Sequence, residues 1–309
     1  MLYIRGMTDA DTMTVFDRRT VRARRDRAAA RWPEHDFLKR EVAERLADRL
    51  SDIRRTFPRA LDLGCHGGEM ADLIRGRAGV EWVARADLSP AMAARAGGPA
   101  LAADEEFLPF ADGSFDLVTS CLSLHWVNDV PGALIQVRRA LRPDGLFLGA
   151  MLGGETLFEL RRCLMEAETE LLGGLSPRVS PMAEVRDAGG LLQRAGFALP
   201  VVDSDTITVG YPSALRLMRD LRGMAETNAV IQRRRQVPPR TLFALAAQRY
   251  EQLYAEADGT VSATFQVLYM AGWAPAEGQQ KPLRPGSAAH RLAEALGTTE
   301  RSTGVKPGG

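Results

Sequence analysis

Arg59-Ala60-Leu61-Asp62-Leu63-Gly64-Cys65-His66-Gly67-Gly68 is the stretch that decides the fold. A short apolar run ending in a glycine turn is followed by Met70, Leu73 and Ile74 at helical spacing, which reads as strand, turn, helix. The alternation then repeats. Glu81 to Ala86 forms a second strand ending at Asp87, and Ser89 with Pro90 supplies a cap and a first-turn proline for the next helix. Phe115 to Cys121 reads as a strand, Pro131 to Leu141 as a helix, Pro143-Asp144-Gly145 as a turn and Leu146 to Met151 as a further strand. Such spacing predicts an α/β fold, a parallel sheet covered by helices on both faces.

Upstream, Leu38, Val42, Leu46 and Leu50 recur every four residues and predict a helix over 36 to 55 that Pro58 ends. Downstream of Met151 the rhythm changes. Helices are expected over Thr156 to Leu172, Met182 to Ala195, Ser213 to Met224 and Thr241 to Ala257, and strands over Leu199 to Asp203, Thr206 to Gly210 and Val261 to Ala271. The organisation expected is a basic helical region at 1–57, a sheet domain at 58–273 with helical insertions near 152–198 and 212–258, and a flexible tail at 274–309.

The 309 residues hold 40 basic and 39 acidic side chains, a net charge of +1, with 45% hydrophobic residues, an ordinary composition for a folded enzyme. Residues 1–60 alone carry 15 basic and 10 acidic groups, and six arginines crowd Phe16 to Arg27. That segment reads either as an arm for an anionic partner or as a solvated helix with some internal pairing. It has no interleaved aromatics for stacking bases, so nucleic acid is not expected. Cys65, Cys121 and Cys163 are far apart, which excludes a disulfide framework and suggests a reducing compartment. The longest uncharged stretch, Gly259 to Ala276, is too polar to span a bilayer. With no apolar leader near Asp9 and Asp11, the expected location is cytoplasmic.

In a parallel α/β sheet, ligands bind beyond the carboxyl ends of the strands. There stand Asp62, Gly64, Gly67 and Gly68, then Asp87, then Asp104-Glu105. Glycines let backbone approach a ligand, and an acid ending the next strand can accept both hydroxyls of a ribose, so a nucleoside ligand is expected. His66 takes the second glycine position of a dinucleotide turn, which disfavours NAD. His35, His66, His125 and His290 are scattered without an H-x-D or H-x-E pair, and no metal site is expected.

Leu61 to Gly68, Asp87 to Met92, Ala103 to Glu105, Ser114 to Val118 and Leu141 to Gly145 together resemble the ordered motifs of class I S-adenosylmethionine-dependent methyltransferases. The resemblance implies a Rossmann-like sheet of seven strands whose last two form an antiparallel hairpin, and S-adenosyl-L-methionine as cofactor. It implies that Asp62, Gly64 and Gly67 face the methionine part, Asp87 the ribose, and Asp104 with Glu105 the adenine, with Cys65, Leu88, Met92 and Leu122 also at the cofactor. His66 departs from the family's usual glycine.

Leu122 to Asp129, Gly154 to Arg161, Asp187 to Phe197, Arg219 to Met224 and Phe265 to Trp273 resemble the mitochondrial respiratory complex I assembly factor 5 group and its bacterial relatives. The first part also resembles the biotin-pathway malonyl-carrier-protein methyltransferase, which shares a Leu-His-Trp segment. The first resemblance implies a protein partner, a respiratory complex I subunit, and hydroxylation of an arginine by the mitochondrial member. A small-molecule acceptor stays open. His125 and Trp126 follow a strand end, where they either flank the reacting centre as catalytic residues or pack as core. Arg161, Arg219, Asp220 and Arg222, with Glu226, either line an acceptor site on the later helices or pair at the surface. The expected reaction is methyl transfer, with arginine hydroxylation and a non-catalytic holding factor as rivals.

Overall fold

A computed structural model of the chain describes residues 14–279 and 297–299. Its centre is one seven-stranded sheet of order β3-β2-β1-β4-β5-β7-β6. The strands are β1 (Arg59–Leu63), β2 (Trp82–Asp87), β3 (Ala100–Ala102), β4 (Phe115–Cys121), β5 (Leu141–Leu152), β6 (Ala198–Tyr211) and β7 (Val261–Trp273). The first five run parallel, and β7 lies antiparallel to both β5 and β6. This is the Rossmann-like sheet and closing hairpin implied by the resemblance.

Helices cover both faces. They are α1 (Arg18–Ala28), α2 (Phe37–Asp48), α3 (Glu69–Ile74), α4 (Pro90–Ala96), α5 (Val130–Ala140), α6 (Phe158–Leu172), α7 (Val185–Arg194), α8 (Ala214–Gly223) and α9 (Arg240–Tyr254). Alternate residues of each strand serve opposite layers. Leu146, Leu148 and Ala150 of β5 join Leu38, Val42 and Leu46 of α2 and Leu242 and Tyr250 of α9. Phe147 and Met151 join Leu134 and Val137 of α5 and Leu191 and Leu192 of α7. Starts are capped as the sequence suggests: Ser89 accepts from the Met92 N–H at 3.1 Å, with Pro90 in the first turn of α4.

Three expectations change. The strands expected at 199–203 and 206–210 are one strand, β6, because Asp203-Ser204-Asp205 lies on an exposed edge where polar residues need no burial. There Asp203 pairs with Arg49 at 2.9 Å and Asp205 with Arg45. The turn at Pro143 to Gly145 is a bulge inside β5: Phe115 pairs with Leu141 while Leu117 pairs with Leu146, and Asp144 takes a φ of 62°. The short strand β3 was not expected, since Ala100-Leu101-Ala102 lacks β-branched residues. The described residues up to Pro275 form one compact unit. The tail expected over 274–309 falls largely outside the described residues.

Leu46 is fully buried between α2 and the sheet. Leu46→Ala should lower the unfolding free energy by about 2–5 kcal/mol, whereas Phe107→Ser, at a side chain 76% exposed, should change it by less than about 0.5 kcal/mol. Urea unfolding of both variants checks the difference.

Candidate functional site

At the carboxyl ends of β1, β2 and β4 the backbone makes a tight cradle. Gly64 takes a φ of 70°, and a Cβ placed there would overlap Ser123 across the cleft. The N–H groups of Gly64 and Cys65 both donate to Ala86 O, at 2.8 and 3.0 Å, which ties the β1 turn to the end of β2. Asp87 is thereby brought against the turn. Its carboxylate accepts from the backbone N–H of His66 at 3.0 Å and of Ser89 at 2.8 Å, so it is fixed from both sides. Asp62, one strand earlier, is fully buried and accepts from the Ala71 N–H at 3.1 Å. Burial pushes its pKa up to about 6 against the opposing pull of Lys39.

The N-terminal arginines do not behave as either sequence reading expects. Val21, Arg25 and Ala28 lie on the buried face of α1, and Arg25 is only 1% exposed. Its Nη1 donates to Glu105 Oε1 at 3.0 Å and lies 3.4 Å from both oxygens of Asp87, while Nη2 donates to Ser123 Oγ at 2.9 Å. Arg18, about two turns earlier, donates to Asp104 at 2.5 Å, to Glu105, and to Trp126 O at 3.1 Å. A buried guanidinium needs such partners, and the carboxylates need it equally. Burial alone would raise the Glu105 pKa, but Arg25 and Arg18 overcome it and hold that pKa well below the ordinary 4.5. Arg18 and Arg25 are thus bound to the chain's own acids.

A second wall comes from the residues after α1. Trp32 stacks on His66 with ring centroids 5.1 Å apart and donates to Glu69 at 2.6 Å, and a Cβ on Gly67 would strike its indole. Lys39 of α2 reaches in to donate to Cys121 O at 2.6 Å and Gly64 O at 3.1 Å, and lies 3.0 Å from His66 Nδ1, which is itself 2.8 Å from Gly64 O. His66 has a φ of 49°, the left-handed conformation that a glycine would take without cost. Burial, then Lys39 and Arg25, hold its imidazole pKa well below the usual value, so it is neutral. Burial likewise pushes the Cys65 thiol up, which leaves it unreactive.

His125 and Trp126 occupy a 3-10 turn, Leu124–Trp126, directly after β4. Glu226, beyond α8, accepts from His125 Nε2 at 3.1 Å and from Trp126 Nε1 at 3.1 Å. An acceptor carboxylate at Nε2 assigns the neutral ring's proton to that nitrogen. Nδ1 is then a lone-pair acceptor, buried and without a hydrogen-bond partner among the described residues.

The structure gathers Gly64, Cys65, Gly67, Asp87 and Glu105 around one cleft with Asp104 at its rim. Leu122, at a φ of 48°, closes the β4 end. Leu88 packs against the Phe16, Val21 and Trp126 cluster, and Met92 packs under Ala28, Ala29 and Trp32. Among the acceptor candidates, Arg161 is turned onto its own loop, donating to Gly154 O at 3.0 Å, and Asp220 is held by His35 at 2.5 Å and by the Tyr211 hydroxyl at 3.1 Å. Arg219 and Arg222 are exposed on α8. Arg18, Arg25, Ser123 and Lys39 were missed. The spacing of Val21, Arg25 and Ala28 on one helical face was the available signal for Arg25.

Fully buried acids around a glycine cradle, offset by a buried arginine side chain, suit a hydroxyl-bearing ligand that carries positive charge, provided Arg25 gives way at Asp87. Comparison with known proteins agrees on the class. Residues 61–149 match the family model described as Methyltransferase domain. The chain is 47% identical over 291 residues to the mitochondrial arginine-hydroxylase NDUFAF5 of Homo sapiens, covering 92% of this chain and 84% of that one. It is 37% identical over 286 residues to the malonyl-[acyl-carrier protein] O-methyltransferase of Laribacter hongkongensis (strain HLHK9), covering 87% and 94%. In fold alone it is similar to the YcgJ protein of Bacillus subtilis, with a TM-score of 0.52 at 17% identity over 75% of this chain and 98% of that one. The cytoplasmic expectation is corrected by these findings, because relatives matched over most of their length are mitochondrial by name. Unpaired cysteines separate reducing from oxidising surroundings and cannot choose among reducing ones.

Arg25→Ala leaves Asp87 and Glu105 buried without their cation and should cost about 3–5 kcal/mol at neutral pH. The Glu105 contribution is present above its ordinary pKa of 4.5 and is lost as pH falls towards its depressed folded value. The stability gap between wild type and variant should therefore narrow below that pH in urea unfolding, and a constant gap would contradict the arrangement.

Proposed function

Because the chain belongs to the class I methyltransferase family, in the group that includes the arginine-hydroxylase NDUFAF5, we propose that it is an S-adenosyl-L-methionine-dependent methyltransferase acting on a protein or small-molecule acceptor. The observation that carries this reading is the Asp87 carboxylate, fixed by two backbone N–H groups beside the Gly64 cradle. When bound, the cofactor supplies a methyl group already activated on a sulfonium. Asp87 would take the ribose hydroxyls, Asp104 and Glu105 the adenine side, and the turn from Gly64 to Gly67 the methionine side. Arg25, 3.4 Å from both Asp87 oxygens, would yield Asp87 on such binding, since the lone-pair sites left by the two backbone N–H donors are those the ribose hydroxyls would take.

His125 acts on the acceptor. Glu226 pins its Nε2 proton, which leaves Nδ1 to receive a proton from a nucleophile that must lose one. Trp126, held by the same carboxylate, fixes the turn that presents the imidazole. The relatives' shared name supports a respiratory complex I subunit as the first protein acceptor to test and a mitochondrial setting for it. It also supports a second reading, arginine hydroxylation, which needs dioxygen and a reductant: one oxygen atom enters the C–H bond and the other leaves as water. A third reading keeps cofactor binding and assigns the chain to holding that subunit.

The test incubates the protein with methyl-labelled S-adenosyl-L-methionine and a lysate of its own source, followed by mass spectrometry. Methyl transfer should be abolished by Asp87→Ala and lowered by about 10²–10⁴-fold by His125→Ala. An arginine that gains one oxygen in place of a methyl group would overturn the methylation reading, and cofactor binding without any modified species would leave only the holding role.

A further inference from the structure

Beside the reaction centre lies a second group of charges that the cofactor site does not use. Arg24 projects from α1 on the side away from Arg25, half-buried, and its guanidinium donates to the backbone carbonyl of Thr227, the neighbour of Glu226. The two segments are knitted there: Asp17 N donates to Ala229 O at 2.9 Å, and Arg233 donates to Asp17 at 3.2 Å and to Thr20 at 3.0 Å. Arg27, one turn along α1, and Arg222, in the last turn of α8, close the group. Burial, then the charges of Arg233, Arg27 and Arg222, pull the Arg24 pKa down to about 10. Half-buried Arg24 and Arg233 thus stand where α1 meets residues 227–233, with exposed Arg27 and Arg222 on the flanking helices, and among the described residues Asp17 there is already taken by Arg233.

The neighbouring acids are committed elsewhere. Asp26 bonds Ser89, Glu34 pairs with Arg31, Asp220 bonds His35 and Tyr211, and Glu226 bonds His125 and Trp126. Arg24, Arg27 and Arg222 have no ion pair among the described residues. Exposed Arg19, Arg234 and Arg235, on the same two segments, are likewise without one. Like charges gathered around a half-buried cation cost free energy that an anionic ligand would recover.

We propose, resting on the protein-acceptor reading above, that Arg24, Arg27, Arg222 and Arg233 form a recognition site for an acidic segment of that acceptor, which would lie along α1 and residues 231–240. More charge surrounds the four-arginine centre than one small oxyanion can neutralise, which favours several carboxylates in a row. The exposed large apolar side chains of these segments, Val15, Leu215, Ile231 and Val237, are aliphatic and offer no ring for stacking a base.

The probe is a fluorescently labelled polyglutamate peptide, read by anisotropy at low salt without cofactor, so the outcome does not depend on the methyltransferase reading. Wild type should bind it. The double variant Arg27→Gln/Arg222→Gln, at exposed positions that leave the core intact, should bind about tenfold more weakly, and Arg45→Gln on the far edge of the sheet should bind as wild type does. Competition separates the sources: a label displaced by unlabelled peptide but not by equal carboxylate-matched inorganic phosphate supports the site. No binding, equal weakening by Arg45→Gln, equal displacement by phosphate, or equal binding of a single-stranded oligonucleotide would each overturn it.

Discussion

The Arg25 guanidinium, fully buried between Asp87, Glu105 and Ser123, is the interaction on which the site's architecture depends. Two buried carboxylates without a counter-charge would be strongly destabilising, and a buried arginine without them equally so. Their mutual need fixes α1 over the strand ends. It also sets the neighbourhood: with α1 in place, Phe16 meets Trp126 edge-to-face, centroids 5.4 Å apart, and Trp32 comes to rest on His66. The wall of the cleft is therefore assembled from a segment that precedes the sheet in sequence.

The cleft is polar at its rim and tightly filled at its base. Lys39 donates to carbonyls at the ends of both β1 and β4, a cation that holds two parallel strands together where their carbonyl dipoles point the same way. Burial lowers the His66 pKa most, and the same ammonium, facing the ring, lowers it further. At the turn after β4, Glu226 plays the corresponding part for His125 and Trp126. Each of these two turns is thus oriented by a charged residue from outside the parallel core, Lys39 of α2 and Glu226 of the loop after α8.

How much of this was legible follows from range along the chain. Asp62, Gly64 and Asp87 announce themselves locally, because a strand end, a glycine turn and an acid are readable within a few residues. Leu38, Val42 and Leu46 are legible for the same reason. Arg25 is not, since its partners lie 62, 80 and 98 residues away and nothing in a run of arginines distinguishes the one that turns inward. The β6 edge was misread for a physical reason: Asp203 and Asp205 look like a turn, yet an edge strand tolerates them because Arg49 and Arg45 pair with them in solvent. Glu226 could be named as a candidate from the sequence, but its bond to His125 spans 101 residues and belongs to the fold alone.

Synthesis of the chain gives α1 a peculiar history. Translation runs from the N-terminus, so the arginine helix leaves the ribosome before every carboxylate that will bury it, and Thr227, which receives Arg24, follows 203 residues later. Until residues 87 to 126 have emerged, Arg18 and Arg25 lack the acids that receive them in the fold, and only Asp17 and Asp26 of their own segment stand near. The earliest made of the described helices therefore cannot dock by its inner arginines before the strand ends are present.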